Sequence, residues 1–197
     1  RVILGRAAEL RLSGDYGRNE GIPLTYAQPL AAKPGFQITP SPSLWQVRTN
    51  DPAAGHNTQA GGAAKLVLHL SDTLTLTSLT ARRSADYRAF VDLDLIDRPL
   101  QTLEVVDAQH QFSQEVTLAG RSSRIAWVGG AFALDEHIDG PVLITLYGPG
   151  LQRRPHATID TAAWAVFGEA TYELSRRVSF TGGVRYSDEA KSLANTG

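Results

Sequence analysis

Carboxylates and imidazoles are the side chains of this sequence best suited to chemistry. Asp135, Glu136, His137 and Asp139 crowd into one short stretch. Donors this close together could touch a ferric ligand. The wet base of an outer loop is the simpler expectation, since such charge clusters commonly lie there. Asp92, Asp94 and Asp97 make a second acidic run. Closely spaced carboxylates suit a hard cation such as calcium. This run lacks the central glycine and distal glutamate of a calcium loop, so a solvated acidic loop is the simpler expectation. His56, His69, His110 and His156 are scattered without ligand spacing, and no metal centre is predicted.

Other chemistries find less support. Ser122-Ser123 and the remaining serines have no neighbouring base or oxyanion motif, so nucleophilic catalysis is not expected. Cysteine is absent, which removes disulfides, thiolate metal sites and cysteine nucleophiles. Gly148-Pro149-Gly150 is loop punctuation rather than a phosphate cradle, since no Lys-Ser/Thr helix start follows it. Lys and Arg number 19 against 20 Asp and Glu, a balance that gives no bulk attraction to nucleic acid. The expectation is a protein that is not an enzyme and carries no cofactor.

The elements that must position these residues are strands. From Trp164, the even positions Trp164, Val166, Gly168, Ala170, Tyr172 and Leu174 are apolar or small, with Glu169, Thr171 and Glu173 between them. After Ser175-Arg176-Arg177 the alternation restarts: Val178, Phe180, Gly182, Val184 and Tyr186 on one side, Ser179, Thr181, Gly183, Arg185 and Ser187 on the other. A period of two is a β-strand with one apolar and one wet face. Further strands are predicted over 8–16, 62–70, 74–90, 109–119 and 124–137. The last part of 74–90, and all of 124–137, show no clear assignment of faces. That makes about seven strands.

Loops are predicted over 17–60, 91–108 and 138–157, and all ten prolines fall in them. Between them lie the short connections Ser71–Thr73, Gly120–Ser123 and Ser175–Arg177. Long and short connections therefore alternate, placing tight turns at one end of an up-and-down sheet and large loops at the other. On the apolar face, Tyr172 and Phe180 fall near the tight-turn rim, and Tyr16, Phe112, Trp164 and Tyr186 near the loop rim. Outer-membrane barrels combine this asymmetry with two aromatic girdles around an apolar band about 25 Å tall. Glu115, Glu169 and Arg185 take the wet side, as a polar lumen wall would, although any water-facing strand position accepts charge. No apolar run approaches the roughly 20 residues of a membrane helix.

Four strings occur in order at hairpin spacing: Leu74-Thr75-Leu76-Thr77-Ser78-Leu79-Thr80-Ala81-Arg82; Phe112-Ser113-Gln114-Glu115-Val116-Thr117-Leu118 with Trp127-Val128-Gly129-Gly130; Ala165-Val166-Phe167-Gly168-Glu169-Ala170-Thr171-Tyr172; and Gly182-Gly183-Val184-Arg185-Tyr186-Ser187. Together they resemble the barrel strands of TonB-dependent outer-membrane receptors, well over 61–191 and loosely before that.

The resemblance implies a 22-stranded barrel with an N-terminal plug in its lumen, in the outer membrane of a Gram-negative bacterium. It implies uptake of a scarce nutrient, above all an iron–siderophore complex, energised through TonB. Residues 1–197 then form a partial barrel domain: an all-β, antiparallel, up-and-down transmembrane segment with short periplasmic turns and long extracellular loops. With no methionine and Arg1 at its start, the sequence looks like an internal or processed piece. Its partners would be outer-membrane lipid, the plug and remaining strands of a parent chain, TonB through an N-terminal region, and cargo such as a ferric siderophore. The alternative is a soluble secreted β-sandwich serving as a binding module, in which the apolar faces pack on each other.

Overall fold

The computed structural model describes residues 2–3, 7–21, 42–43, 45–46, 48–94, 96–147 and 150–196. Among them there is one sheet. Its strands are β1 (Val2–Ile3), β2 (Ala8–Gly21), β3 (Ala54–Ser71), β4 (Leu74–Asp92), β5 (Gln101–Arg121), β6 (Ile125–Leu146), β7 (Leu151–Arg153), β8 (His156–Ser175) and β9 (Val178–Thr196). The order is β1-β2-β3-β4-β5-β6-β8-β9, with β7 pairing only with β6. Every pairing is antiparallel. The seven long strands are the seven expected from the alternation, and the sheet is unclosed.

The three tight turns share a local chemistry. Thr73 N donates to Ser71 Oγ at 3.2 Å, Ile125 N to Ser122 Oγ at 3.3 Å, and Arg177 N to Ser175 Oγ at 3.3 Å. A serine hydroxyl beside a reversing backbone substitutes for a missing backbone acceptor, which is why serine marks each turn in the sequence.

The large loops are shorter than their composition suggests. β5 begins at Gln101, inside the expected loop 91–108, and β6 runs on to Leu146, inside the expected loop 138–157. Likewise β2 extends to Gly21 and β3 starts at Ala54, within the expected loop 17–60. In these extensions both faces become polar or both become aliphatic, so the period that marks a strand vanishes while the backbone ladder continues. Pro141 is a strand residue of β6, paired with His156 of β8. On its other side the β5–β6 partnering lapses between Val105↔Val142 and Ala108↔Asp139, where proline has no N–H to donate.

Register settles the two ambiguous strands. Leu74, Leu76, Ser78, Thr80 and Arg82 of β4, and Ile125, Trp127, Gly129, Ala131 and Ala133 of β6, share the face of Val116, Val166 and Val184. The opposite face of β6 carries Val128, Phe132 and Leu134, and this double apolarity hid its phase. Polar side chains on the apolar face engage one another. Gln114 accepts from Thr80 Oγ1 at 2.5 Å and donates to Ser78 Oγ at 2.9 Å.

The apolar face is open. Val166, Tyr172, Phe180 and Val184 are 46%, 40%, 61% and 76% exposed, and no second layer covers them among the described residues. A sandwich would bury all four.

The loop-end aromatics show how the strands lie. One register row runs Tyr16, Ala60, Ser84, His110, His137, Asp160, Ser192. Phe112 is two places past His110, Trp164 four past Asp160, and Tyr186 six before Ser192, each displaced toward the tight turns. The aromatic rim therefore slants by about one residue per strand. A rise of about 3.3 Å against a strand spacing of about 4.8 Å corresponds to a tilt of about 35°. Closed barrels tilt their strands by a similar angle. Trp164 and Tyr186 touch along this rim, with ring centroids 5.5 Å apart.

Two glycines give a stability test. A Cβ on Gly130 would lie 2.8 Å from the backbone oxygen of Val116 and 2.7 Å from the Phe167 ring, whereas one on Gly182 would meet nothing within 4 Å. Gly130→Ala is expected to destabilise by about 1–3 kcal/mol through overpacking. Gly182→Ala is expected to be neutral or slightly stabilising, because alanine loses less chain entropy. Urea unfolding of both variants in detergent would show the difference, and equal midpoints would contradict it.

Candidate functional site

The acidic-histidine stretch lies within a strand, not at the base of a loop. The pleat of β6 divides it. Asp135, His137 and Asp139 project on the apolar-band side, and Glu136 projects on the other. Asp135 is in register with Phe112, so this polar group begins where the aromatic rim ends. Across to β8, His137 Nδ1 meets Asp160 Oδ1 at 2.6 Å, and His156 Nε2 meets Asp139 Oδ1. Glu136 Oε1 accepts from Gln109 Nε2 at 2.5 Å.

Asp160 and His156 are the partners that the sequence did not reveal. Their signal was cross-strand register, which spacing along one chain cannot show. The result is a zipper of imidazole–carboxylate pairs along the outer half of β6 and β8. Among the described residues no three metal-ligating side chains converge.

His137 stands clear of the apolar band, and its pKa is raised above 6.5. The hydrogen bond to Asp160 is the main cause, opposed by desolvation and aided by the charges of Asp160, Asp139 and Asp135.

Asp92 and Asp94 have unlike surroundings. Asp92 ends β4, pairs with Thr102 and is 1% exposed, so it is not part of a solvated loop. Asp94 organises the β4–β5 loop. Its Oδ1 accepts from Ile96 N at 3.2 Å, and its Oδ2 accepts from Leu100 N at 3.2 Å and Gln101 N at 2.6 Å. Ile96 is buried against this loop. The loop also reaches both neighbours: Asn50 N donates to Ile96 O and Tyr147 N to Leu100 O, each at 3.0 Å.

Glu115, Glu169 and Arg185 lie on the face opposite the apolar band. Glu115 is in register with Leu79 and Phe132, Glu169 with Val128 and Gly183. The Arg185 guanidinium sits 5.7 Å from the Phe167 ring centre. The same face carries the Arg83–Asp15 ion pair at 2.8 Å and the Thr171–Thr181 hydroxyl pair at 2.8 Å. One face thus presents a belt of bare apolar side chains, and the other cross-strand polar pairs.

A family model described as TonB dependent receptor-like, beta-barrel, matches residues 6–197. The chain belongs to this TonB-dependent receptor family. Its members are outer-membrane transporters, not enzymes. Among solved structures, the chain is similar to the ferric yersiniabactin uptake receptor FyuA of Yersinia pestis, with a TM-score of 0.69 and 12% identity. The superposition covers 98% of this chain and 31% of that receptor, so the chain spans about a third of its length. At that identity the likeness is one of fold. No curated protein matches the chain by sequence. In this sheet the tight turns and the loop cluster at Asp94 lie at opposite ends of the strands.

The zipper predicts a titration. His137 should titrate above 6.5, and Asp160→Asn should bring it down toward that value. Because the folded-state pKa is raised, the pair's contribution is complete below the ordinary histidine value and is lost as pH rises through the raised one. Histidine-resolved NMR in detergent checks this; an unchanged His137 titration in the Asp160→Asn variant would remove Asp160 as the cause.

Proposed function

We propose that this chain forms part of the barrel wall of an outer-membrane receptor that takes up a scarce nutrient through TonB. The observation that carries the proposal is the slanted aromatic rim above an exposed apolar belt. Together they fit a tilted sheet with hydrocarbon against one face and water against the other. The belt runs from Trp164 to Tyr172 on β8, about 26 Å along the strand at about 3.3 Å per residue, or about 22 Å of membrane depth at the tilt above. Backbone groups in hydrocarbon must pair internally, and long antiparallel ladders do this.

In this proposal the apolar face contacts outer-membrane lipid of a Gram-negative cell. Glu115, Glu169 and Arg185 face a water-filled lumen and its plug. The β2–β3, β4–β5 and β6–β8 connections form the first surface that cargo meets. Asp135, His137 and Asp139 stand above the lipid on the outer wall, where they brace the protruding strands rather than contact cargo. An iron–siderophore complex is the proposed cargo class. Support comes from the family's usual role and from the fold shared with a ferric-siderophore receptor. TonB engages through another part of such a receptor.

Uptake of labelled ferric siderophores by cells with and without the gene tests the function. Loss of uptake in the deletion strain, and in a strain lacking TonB, is the expected result. Undiminished uptake in both would refute it. The lipid-facing assignment has its own test. Val184→Arg, near the middle of the belt, should destabilise the barrel by about 2–4 kcal/mol in lipid, while Thr181→Lys on the wet face should change stability far less. Folding titrations in vesicles read both, and equal sensitivity of the two faces would sink the assignment.

A further inference from the structure

The best-packed region among the described residues is not beneath the sheet but at its loop end. Ala89, Val91, Asp92, Ile96 and Thr102 are all buried there, whereas elsewhere among the described residues only Ala165 and Thr161 are buried. All five flank or belong to the β4–β5 connection. Above this small core, the Asp94 carboxylate gathers three backbone N–H groups, from Ile96, Leu100 and Gln101. The loop it shapes then presents two carbonyls outward. Ile96 O receives Asn50 N from the β2–β3 connection, and Leu100 O receives Tyr147 N from the end of β6. Leu93 N closes the base on Gln101 O at 3.0 Å.

We infer that the β4–β5 connection ties Asn50 and Tyr147, one on each side of it, into one cooperative cargo-capturing unit, with Asp94 as the positioning residue that holds it together. The physical basis is direct. A carboxylate accepting several backbone N–H bonds fixes the path of the loop, since charge-assisted bonds are roughly twice as strong as neutral ones. The Ile96 and Leu100 carbonyls lie on that path, one residue or less from the bonded amides. Freeing the amides turns the carbonyls away and releases the Asn50 and Tyr147 amides that they hold. Fixing Asn50, the β4–β5 loop residues and Tyr147 before cargo arrives lowers the entropy lost on capture. Asp94 acts through the loops and is not assigned contact with cargo. The capture role rests on the function proposed above; the cooperativity does not.

The test is amide hydrogen exchange on the full-length protein folded in detergent, wild type against Asp94→Ala. Faster exchange is expected at Ile96, Leu100 and Gln101. About tenfold faster exchange is also expected at Asn50 and Tyr147, while the amides of β8 and β9 stay unchanged and report an intact barrel. Acceleration confined to the β4–β5 loop would overturn the inference. Should Asp94→Ala fail to fold, Asn50→Pro removes one donor without touching the sheet. It should speed exchange at Leu100 and Tyr147, and unchanged rates there would overturn the inference equally. A cargo assay separates the two layers. With a ferric siderophore as probe, Asp94→Ala should weaken binding about tenfold. Unchanged binding alongside the coupled exchange would remove the capture role and leave the cooperative unit standing.

Discussion

The structure depends on a long, nearly continuous backbone ladder. Strands as long as the 22 residues of β6 pair antiparallel on both sides for most of their length. A peptide group away from water must find an acceptor or donor within the protein. Here the ladder satisfies that demand without help from a packed interior. The side chains are consequently free to divide by face, and that division carries the biology. Very few of the described residues are buried, so apolar burial among them contributes little to this architecture.

The sequence revealed the architecture where the pleat separates unlike chemistries. Trp164 to Tyr172 and Val178 to Tyr186 alternate because one side is a bare apolar belt and the other is wet. Leu74 to Phe90 was harder, since Ser78, Thr80 and Arg82 interrupt the apolar side. Gln114 explains part of this by clasping Ser78 and Thr80, which makes polar atoms acceptable there. The outer strand halves were hidden for another reason. Above the rim both sides of the sheet are polar or mixed, so β5 from Gln101 and β6 to Leu146 read as loop.

The candidate site was legible in residue type and hidden in geometry. Asp135, Glu136, His137 and Asp139 are neighbours in sequence, yet the pleat sends Glu136 to the other face. Their real partners, Asp160 and His156, come from a strand whose register no local pattern records. Asp94 stood out as one of several loop carboxylates. Its role as a backbone acceptor depends on the path of the turn it makes, which charge spacing does not determine.

The lapse opposite Pro141 has a mechanical consequence. Two rungs are absent from the β5–β6 ladder there, and Gly140 lets the Asp107 carboxylate come within 2.8 Å of where a Cβ would stand. A ladder yields first where its rungs are missing. Between its tip, Val142 to Leu146, and its lower half, β6 is therefore held from one side only, by β8 through Gly140 and Pro141.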